Sequence, residues 1–253
     1  MLYTLYLPGS HRNTKDADFQ MYGHYDKNAL TRIFREICSL DEEDGIRLNR
    51  TGIEVKEAGE DREYPGYVVT IPAALGIATC KIQVDIGFGE IITPGPKLVS
   101  YPSIIGLAEA QIKVYPLESV VSEKFQAIVH LGMRNSRMKD FYDLATLASQ
   151  REFDGQVLSQ AIINTFAHRK TIIPTETPIG LTETFFSDRR KQRDWENFHT
   201  RHGLGKSLSL ADACSQIVRF VMPVAQAAAE GRSFKCIWKD DRWNEPQEEA
   251  VNE

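Results

Sequence analysis

Asp16 and Asp18 stand one residue apart in Thr14-Lys15-Asp16-Ala17-Asp18-Phe19. Read as a short strand, this stretch puts residues i and i+2 on one face, so the two carboxylates lie side by side. Adjacent carboxylates repel and call for water or a cation. Mg2+ suits them, because it takes one or two carboxylates and fills its other positions with water and phosphate oxygens. The alternative is a solvated loop, since aspartate is a poor strand former and common in turns. A third carboxylate, Asp85, lies in Lys81-Ile82-Gln83-Val84-Asp85-Ile86. There Ile82, Val84 and Ile86 alternate with Lys81, Gln83 and Asp85, so the isoleucines and valine must face a core and Asp85 the open side. If that strand lies beside 15–19, three carboxylates converge. Two-metal phosphoryl or nucleotidyl transfer needs such an arrangement, with metals ~3.5–4 Å apart. Alone, Asp85 reads equally well as a solvated strand residue.

The elements that must carry these groups follow from periodicity. Pro8-Gly9-Ser10 turns the apolar start, residues 1–7, into the D-x-D strand. Leu30, Ile33, Phe34 and Ile37 recur at helical spacing over Lys27 to Leu40. Strands are expected at 46–48, 53–57 and 67–71, then at 81–86. Pro94, Pro96 and Pro102 stiffen a connection. From there the pattern turns helical. Pro116 sits where a first-turn proline would, ahead of a stripe of Leu117, Val120, Val121, Phe125 and Ile128. Further helices are expected over Arg137–Ser149, Gln156–His168 and about Arg189–His202, and from near Ser209 until Pro223 interrupts the last one. The expected fold is α+β: a mixed sheet with flanking helices over 1–110, a helical domain over 111–243, and a loose acidic tail over 244–253.

The whole chain sets limits on function. Its 253 residues are 42% hydrophobic and 26% charged, enough for an ample core, and its net charge of -5 argues against a broad electrostatic grip on nucleic acid. No apolar run approaches the ~20 residues that span a bilayer, and the apolar start lacks a basic region and a cleavage site. Cys38, Cys80, Cys214 and Cys236 form no C-x-x-C, and the six histidines form no ligand pattern. A reduced cytoplasm fits this composition. His199 and His202 read as a polar helix end, and Trp195, Trp238 and Trp243 as packing residues.

Two more blocks carry charged residues at regular spacing: Tyr115-Pro116-Leu117-Glu118…Ser122-Glu123-Lys124-Phe125-Gln126-Ala127, and Asn135-Ser136-Arg137-Met138-Lys139-Asp140-Phe141-Tyr142-Asp143-Leu144. Together with T-K-D-A-D-F and V-D-I-G-F-G-E they resemble the AbiEii/AbiGii nucleotidyltransferase toxin family, of the DNA polymerase beta-like nucleotidyltransferase superfamily. The resemblance covers roughly residues 1–150 in order. It implies that Asp16 and Asp18 are the paired metal carboxylates, and Asp85 the third, around Mg2+ or Mn2+. It further implies that Lys124 holds the triphosphate as a point charge, and that Asp140 lies near the incoming hydroxyl or the nucleotide. Arg137, Lys139 and Asp143 become candidate substrate-binding residues. Structural readings stand beside these: an i,i+4 ion pair for Lys139 and Asp143, an exposed cap for Arg137.

The implied reaction is magnesium-dependent transfer of a nucleoside monophosphate from NTP to a tRNA 3′ end or a protein hydroxyl. The implied setting is a toxin–antitoxin or phage-defence system with a separately encoded antitoxin and no membrane partner. Two departures stand out. A glycine-rich turn expected about fifteen residues before the D-x-D has no counterpart, so the reading frame is expected to extend upstream of Met1. Glu90 stands where aspartate is expected after G-F-G. Rival readings are an E-x-K nuclease built on Asp44, Glu54 and Lys56, a D-x-D glycosyltransferase, and an inactive partial copy that only binds an antitoxin.

Overall fold

The computed structural model describes residues 16–40, 44–58, 66–89, 91–101, 109–204 and 208–245. The readings of 1–7, Gly9-Ser10, Thr14-Lys15, Glu90 and the acidic tail from 246 fall outside them. The chain divides into two compact units, one within Asn13–Glu90 and one within Ile91–Glu253.

The first unit is a mixed sheet with one helix. Its strands are β1 (Asp16–Met21), β2 (Ile46–Leu48), β3 (Glu54–Glu57), β4 (Gly66–Leu75) and β5 (Ala78–Phe88), in the order β1-β5-β4-β2 with β3 also on β4. β1 runs parallel to β5 and the other pairs are antiparallel. Gly76, at φ +59, supplies the left-handed residue of the β4–β5 turn, a conformation glycine adopts without a Cβ clash. Helix α1 (Lys27–Ile37) starts at Asp26, whose carboxylate accepts the Ala29 amide at 2.6 Å. It buries Leu30 against Ile53, Val55, Val69, Ile71, Val84 and Ile86. Val69 and Ile71 on β4, like Val84 and Ile86 on β5, are two residues apart and share a face.

The expected burial of β5 needs two corrections. Ile82 is 37% exposed, because the hairpin from Leu75 to Ile82 extends beyond the buried cluster. Asp85 is not on an open face: Val84, Asp85 and Ile86 are buried in succession, so both sides of the strand are covered there.

The second unit opens with the ribbon β6 (Lys97–Tyr101) and β7 (Ala110–Val114) and is otherwise mainly helical. Its helices are α2 (Leu117–Leu131), α3 (Met138–Gln150), α4 (Gly155–His168), the one-turn α5 (Glu183–Phe186), α6 (Arg189–His202) and α7 (Leu210–Ala229). Ala213, Cys214, Ile217, Phe220, Val221, Val224 and Ala225 of α7 are fully buried, the i, i+3, i+4, i+7 stripe of a helix at the centre of a core. Pro223 does not end this helix. An interior proline costs ~3 kcal/mol, and the buried residues on both sides of it outweigh that cost. Pro116 is the N-cap of α2, one residue earlier than a first-turn proline.

Helices do not fill the whole second half. β8 (Phe153–Asp154), β9 (Ile237–Lys239) and β10 (Arg242–Asn244) form a small antiparallel sheet, and strands of two or three residues are too short to show a period. The tryptophans pack: the Trp238 indole donates to the Ala148 carbonyl at 2.6 Å, that of Trp243 to Phe220 at 2.9 Å, and that of Trp195 to Leu208 at 3.1 Å. His199 is not a polar helix end. It is buried, its ring centre 4.6 Å from that of Trp195.

Candidate active site

In the first unit the two acidic motifs meet on neighbouring strands. Asp18 stands opposite Asp85, and Asp16 opposite Gln83, in the parallel β1–β5 ladder. Residues paired in this way sit on strands ~4.8 Å apart and share a face. Asp18 is exposed and Asp85 is 8% exposed, its Oδ1 accepting from the Gln83 side-chain Nε2 at 3.3 Å. Like charges directly opposite one another on a sheet repel. A buried carboxylate next to a second one is therefore the kind of donor set a hard divalent cation satisfies. Asp16 contributes its backbone position alone to this description. Among the described residues no three histidine, cysteine, aspartate or glutamate side chains come together as a metal-holding group.

In the second unit Lys124, Arg137, Asp140 and Asp143 converge where α2 packs beside α3. Asp140 and Asp143 are fully buried and one helical turn apart, so both face α2. The Lys124 ammonium lies 2.6 Å from Asp140 Oδ1 and 3.0 Å from Asp143 Oδ2, its side chain 17% exposed. Arg137 Nε lies 2.9 Å from Asp140 Oδ2, close as an ion pair but off the hydrogen-bond line, and that oxygen has no other donor. Two cations and two carboxylates balance. Burial pushes the Asp140 carboxyl up, but Lys124 and Arg137 outweigh it and hold the group below the usual carboxylate range.

The sequence-based ion pair of Lys139 with Asp143 does not form. Asp143 turns inward to Lys124, and Lys139 is exposed with no ion pair among the described residues. Lysine four residues before an acid is also the weaker orientation on a helix. Asn135, quoted in its motif without a role, is fully buried and its Oδ1 accepts the Arg137 amide at 2.8 Å. A short polar residue three positions before a helix is the only signal that could have marked it.

The nuclease triad does not assemble as such. Glu54 and Lys56 pair with each other at 3.0 Å on an exposed strand, and the Asp44 carboxylate accepts the Ile46 amide. Among the described residues no helix is long and apolar enough to cross a membrane.

A family model described as "Nucleotidyl transferase AbiEii toxin, Type IV TA system" matches residues 1–217. No curated protein matches the chain. Among solved structures, JHP933 from Helicobacter pylori is similar at 14% identity and a TM-score of 0.45, over 90% of this chain and 81% of that one. A second H. pylori protein, described as a candidate nucleotidyltransferase, is similar at 15% identity and a TM-score of 0.41, over 91% and 84%.

Proposed function

The chain belongs to the AbiEii nucleotidyl transferase toxin family of type IV toxin–antitoxin systems, and from that premise we propose that it transfers a nucleoside monophosphate from an NTP to a hydroxyl acceptor, on a tRNA 3′ end or a protein. The observation that carries this reading is the direct opposition of Asp18 and Asp85 on adjacent parallel strands. Asp16, Asp18 and Asp85 would hold Mg2+ or Mn2+. When bound, the metal supplies charge neutralisation at the phosphate oxygens and lowers the cost of generating the attacking alkoxide.

The rest falls to side chains. An acceptor oxygen forms its bond to the α-phosphorus, the bond from that phosphorus to the bridging oxygen breaks, and pyrophosphate leaves with its electron pair. The hydroxyl proton passes to a strand carboxylate. Asp140 is poorly suited to take it, because a carboxylate held below its ordinary range is a weak base. Its role is positional: with Asp143 it fixes the Lys124 ammonium as a point charge for the triphosphate. Arg137, half exposed, adds a guanidinium for phosphate oxygens. Lys139, exposed at the same helix start, adds general positive charge.

Membership of a toxin–antitoxin family implies an antitoxin partner. A phage-defence setting and a cytoplasmic location belong to the same proposal. The test is pyrophosphate release from each NTP with Mg2+, in the presence of total tRNA or a protein extract. Release that disappears in Asp85→Asn and Asp18→Asn supports the reading. No release from any NTP leaves an antitoxin-binding module.

A further inference from the structure

On the reading that Lys124 and its aspartates serve nucleotide transfer, we propose that Lys191 is a positioning residue for that site, acting through Asn135 and Arg137. Lys191 belongs to α6, is 5% exposed, and donates from Nζ to the Asn135 carbonyl at 2.6 Å. Its ammonium also sits 5.2 Å from the centre of the Phe185 ring. Among the described residues it has no carboxylate partner. A buried ammonium is costly unless paired and hydrogen-bonded, and this one is spent on a single backbone carbonyl.

That carbonyl belongs to the turn that starts α3. The Asn135 amide donates to Gly132 O at 3.1 Å, and its side-chain oxygen accepts the Arg137 amide. Arg137 then accepts the Asp140 amide on its carbonyl at 2.8 Å and places Nε beside Asp140 Oδ2. α3 has no side-chain cap of its own at Arg137. Its first turn is set from outside, by Asn135 in the chain and by Lys191 from another helix. Charged residues buried for packing alone are matched or bettered by apolar ones of similar volume. The ammonium is therefore better explained by what it holds in place: the turn that aims Arg137 and, through it, Asp140.

The experiment compares Lys191→Met and Lys191→Gln with Lys124→Ala. It measures folded fraction, kcat and KM for NTP, and hydrogen exchange at the Arg137 and Asp140 amides. The expected result is a native-like fold for Lys191→Met and faster exchange at those two amides, with α6 still protected. Its kcat/KM should fall roughly tenfold to hundredfold, the scale of a catalytic group displaced from afar. Lys191→Gln, which keeps a donor, should recover part of that loss. If Lys124→Ala keeps full activity, the underlying reading of the site falls. If Lys124→Ala is inactive while Lys191→Met matches the wild type in activity and exchange, the positioning role is wrong. If neither Lys191 variant folds, Lys191 supports the unit as a whole and the inference is likewise overturned.

Discussion

Lys124→Met takes the cation away from two fully buried carboxylates. Asp140 would keep Arg137 at 2.9 Å, on a side chain half open to water, and Asp143 would lose its 3.0 Å contact. Removing one partner of a buried ion pair costs ~3–5 kcal/mol. The remaining guanidinium and the partial exposure of Lys124 put this case near the lower end, about 3 kcal/mol. The pH dependence separates this cause from ordinary loss of packing. In the wild type Asp140 is held below the usual range, so its contribution is present above the unfolded value of ~3.9 and lost as pH falls through the folded one. Between pH 7 and 5 that contribution is constant. In the variant, burial is opposed by Arg137 and Lys139 without Lys124, and the Asp140 carboxyl rises. A raised carboxyl makes the folded state bind more protons, so the variant gains stability as the pH drops.

The stability deficit of Lys124→Met should therefore shrink between pH 7 and pH 5. Urea unfolding followed by tryptophan fluorescence measures this directly, because Trp195, Trp238 and Trp243 all lie in the helical unit. A deficit under about 1 kcal/mol would place the pair among weak surface pairs. A deficit equal at both pH values would mean that the carboxylates are not what the lysine supports. Either result refutes the argument.

Asp85→Asn should abolish nucleotide transfer, since it removes one of the two carboxylates that stand opposite each other on β1 and β5; full activity in this variant would end the strand-carboxylate model. Gly155→Ala should destabilise the helical unit by about 1–3 kcal/mol, because a Cβ there would stand 2.5 Å from Phe234 Cδ1 and 2.7 Å from the Cys236 carbonyl, and a thermal melt matching the wild type would contradict this. Burial pushes the Cys214 thiol up to about 12, whereas Cys80 is exposed, so a thiol reagent at pH 8 should label Cys80 in the native protein and Cys214 only in urea, as peptide mapping would reveal.

The strands read at 15–19, from the spacing of two aspartates, and at 81–86, from alternation, fall on β1 and inside the longer β5. The helix read over 27–40 ends at Ile37, and it and the helix at 117–131 were legible because apolar stripes of period 3.6 had clear starts. What escaped has a physical reason in each case. The β8–β10 sheet has strands too short to repeat anything. Pro223 acts locally as a breaker, and only the depth of α7 in the core, a tertiary property, overrides it. The burial of Asp85 was hidden because alternation reports which side of a strand is apolar, not whether the other side is covered. Asp140 and Asp143 were visible as acids at i,i+3, but whether they would meet Lys139 on their own helix or Lys124 on another depends on packing.

Burial and partners in the helical unit bear on the proposed role of Lys124. Most of its fully buried side chains are apolar, and its buried hydroxyls meet neutral partners: Ser122 donates to Ser119 O at 3.0 Å and bonds the Thr165 hydroxyl at 2.8 Å, Ser119 donates to Thr93 O at 3.0 Å, and Thr146 donates to Tyr142 O at 2.7 Å. Bonds between neutral groups bury no charge. Asp140 and Asp143 are different. Each meets the Lys124 ammonium from a neighbouring helix, Asp140 also has Arg137 three residues earlier at 2.9 Å, and Asp140 Oδ2 is still left without an aligned donor. A core of this size does not need charges to fold, and apolar replacements would hold it as well. The place where it nevertheless spends two carboxylates to fix one lysine, itself open enough to reach solvent, is where stability has been given up for orientation. That criterion uses burial and partners alone, without any motif, and it selects Lys124.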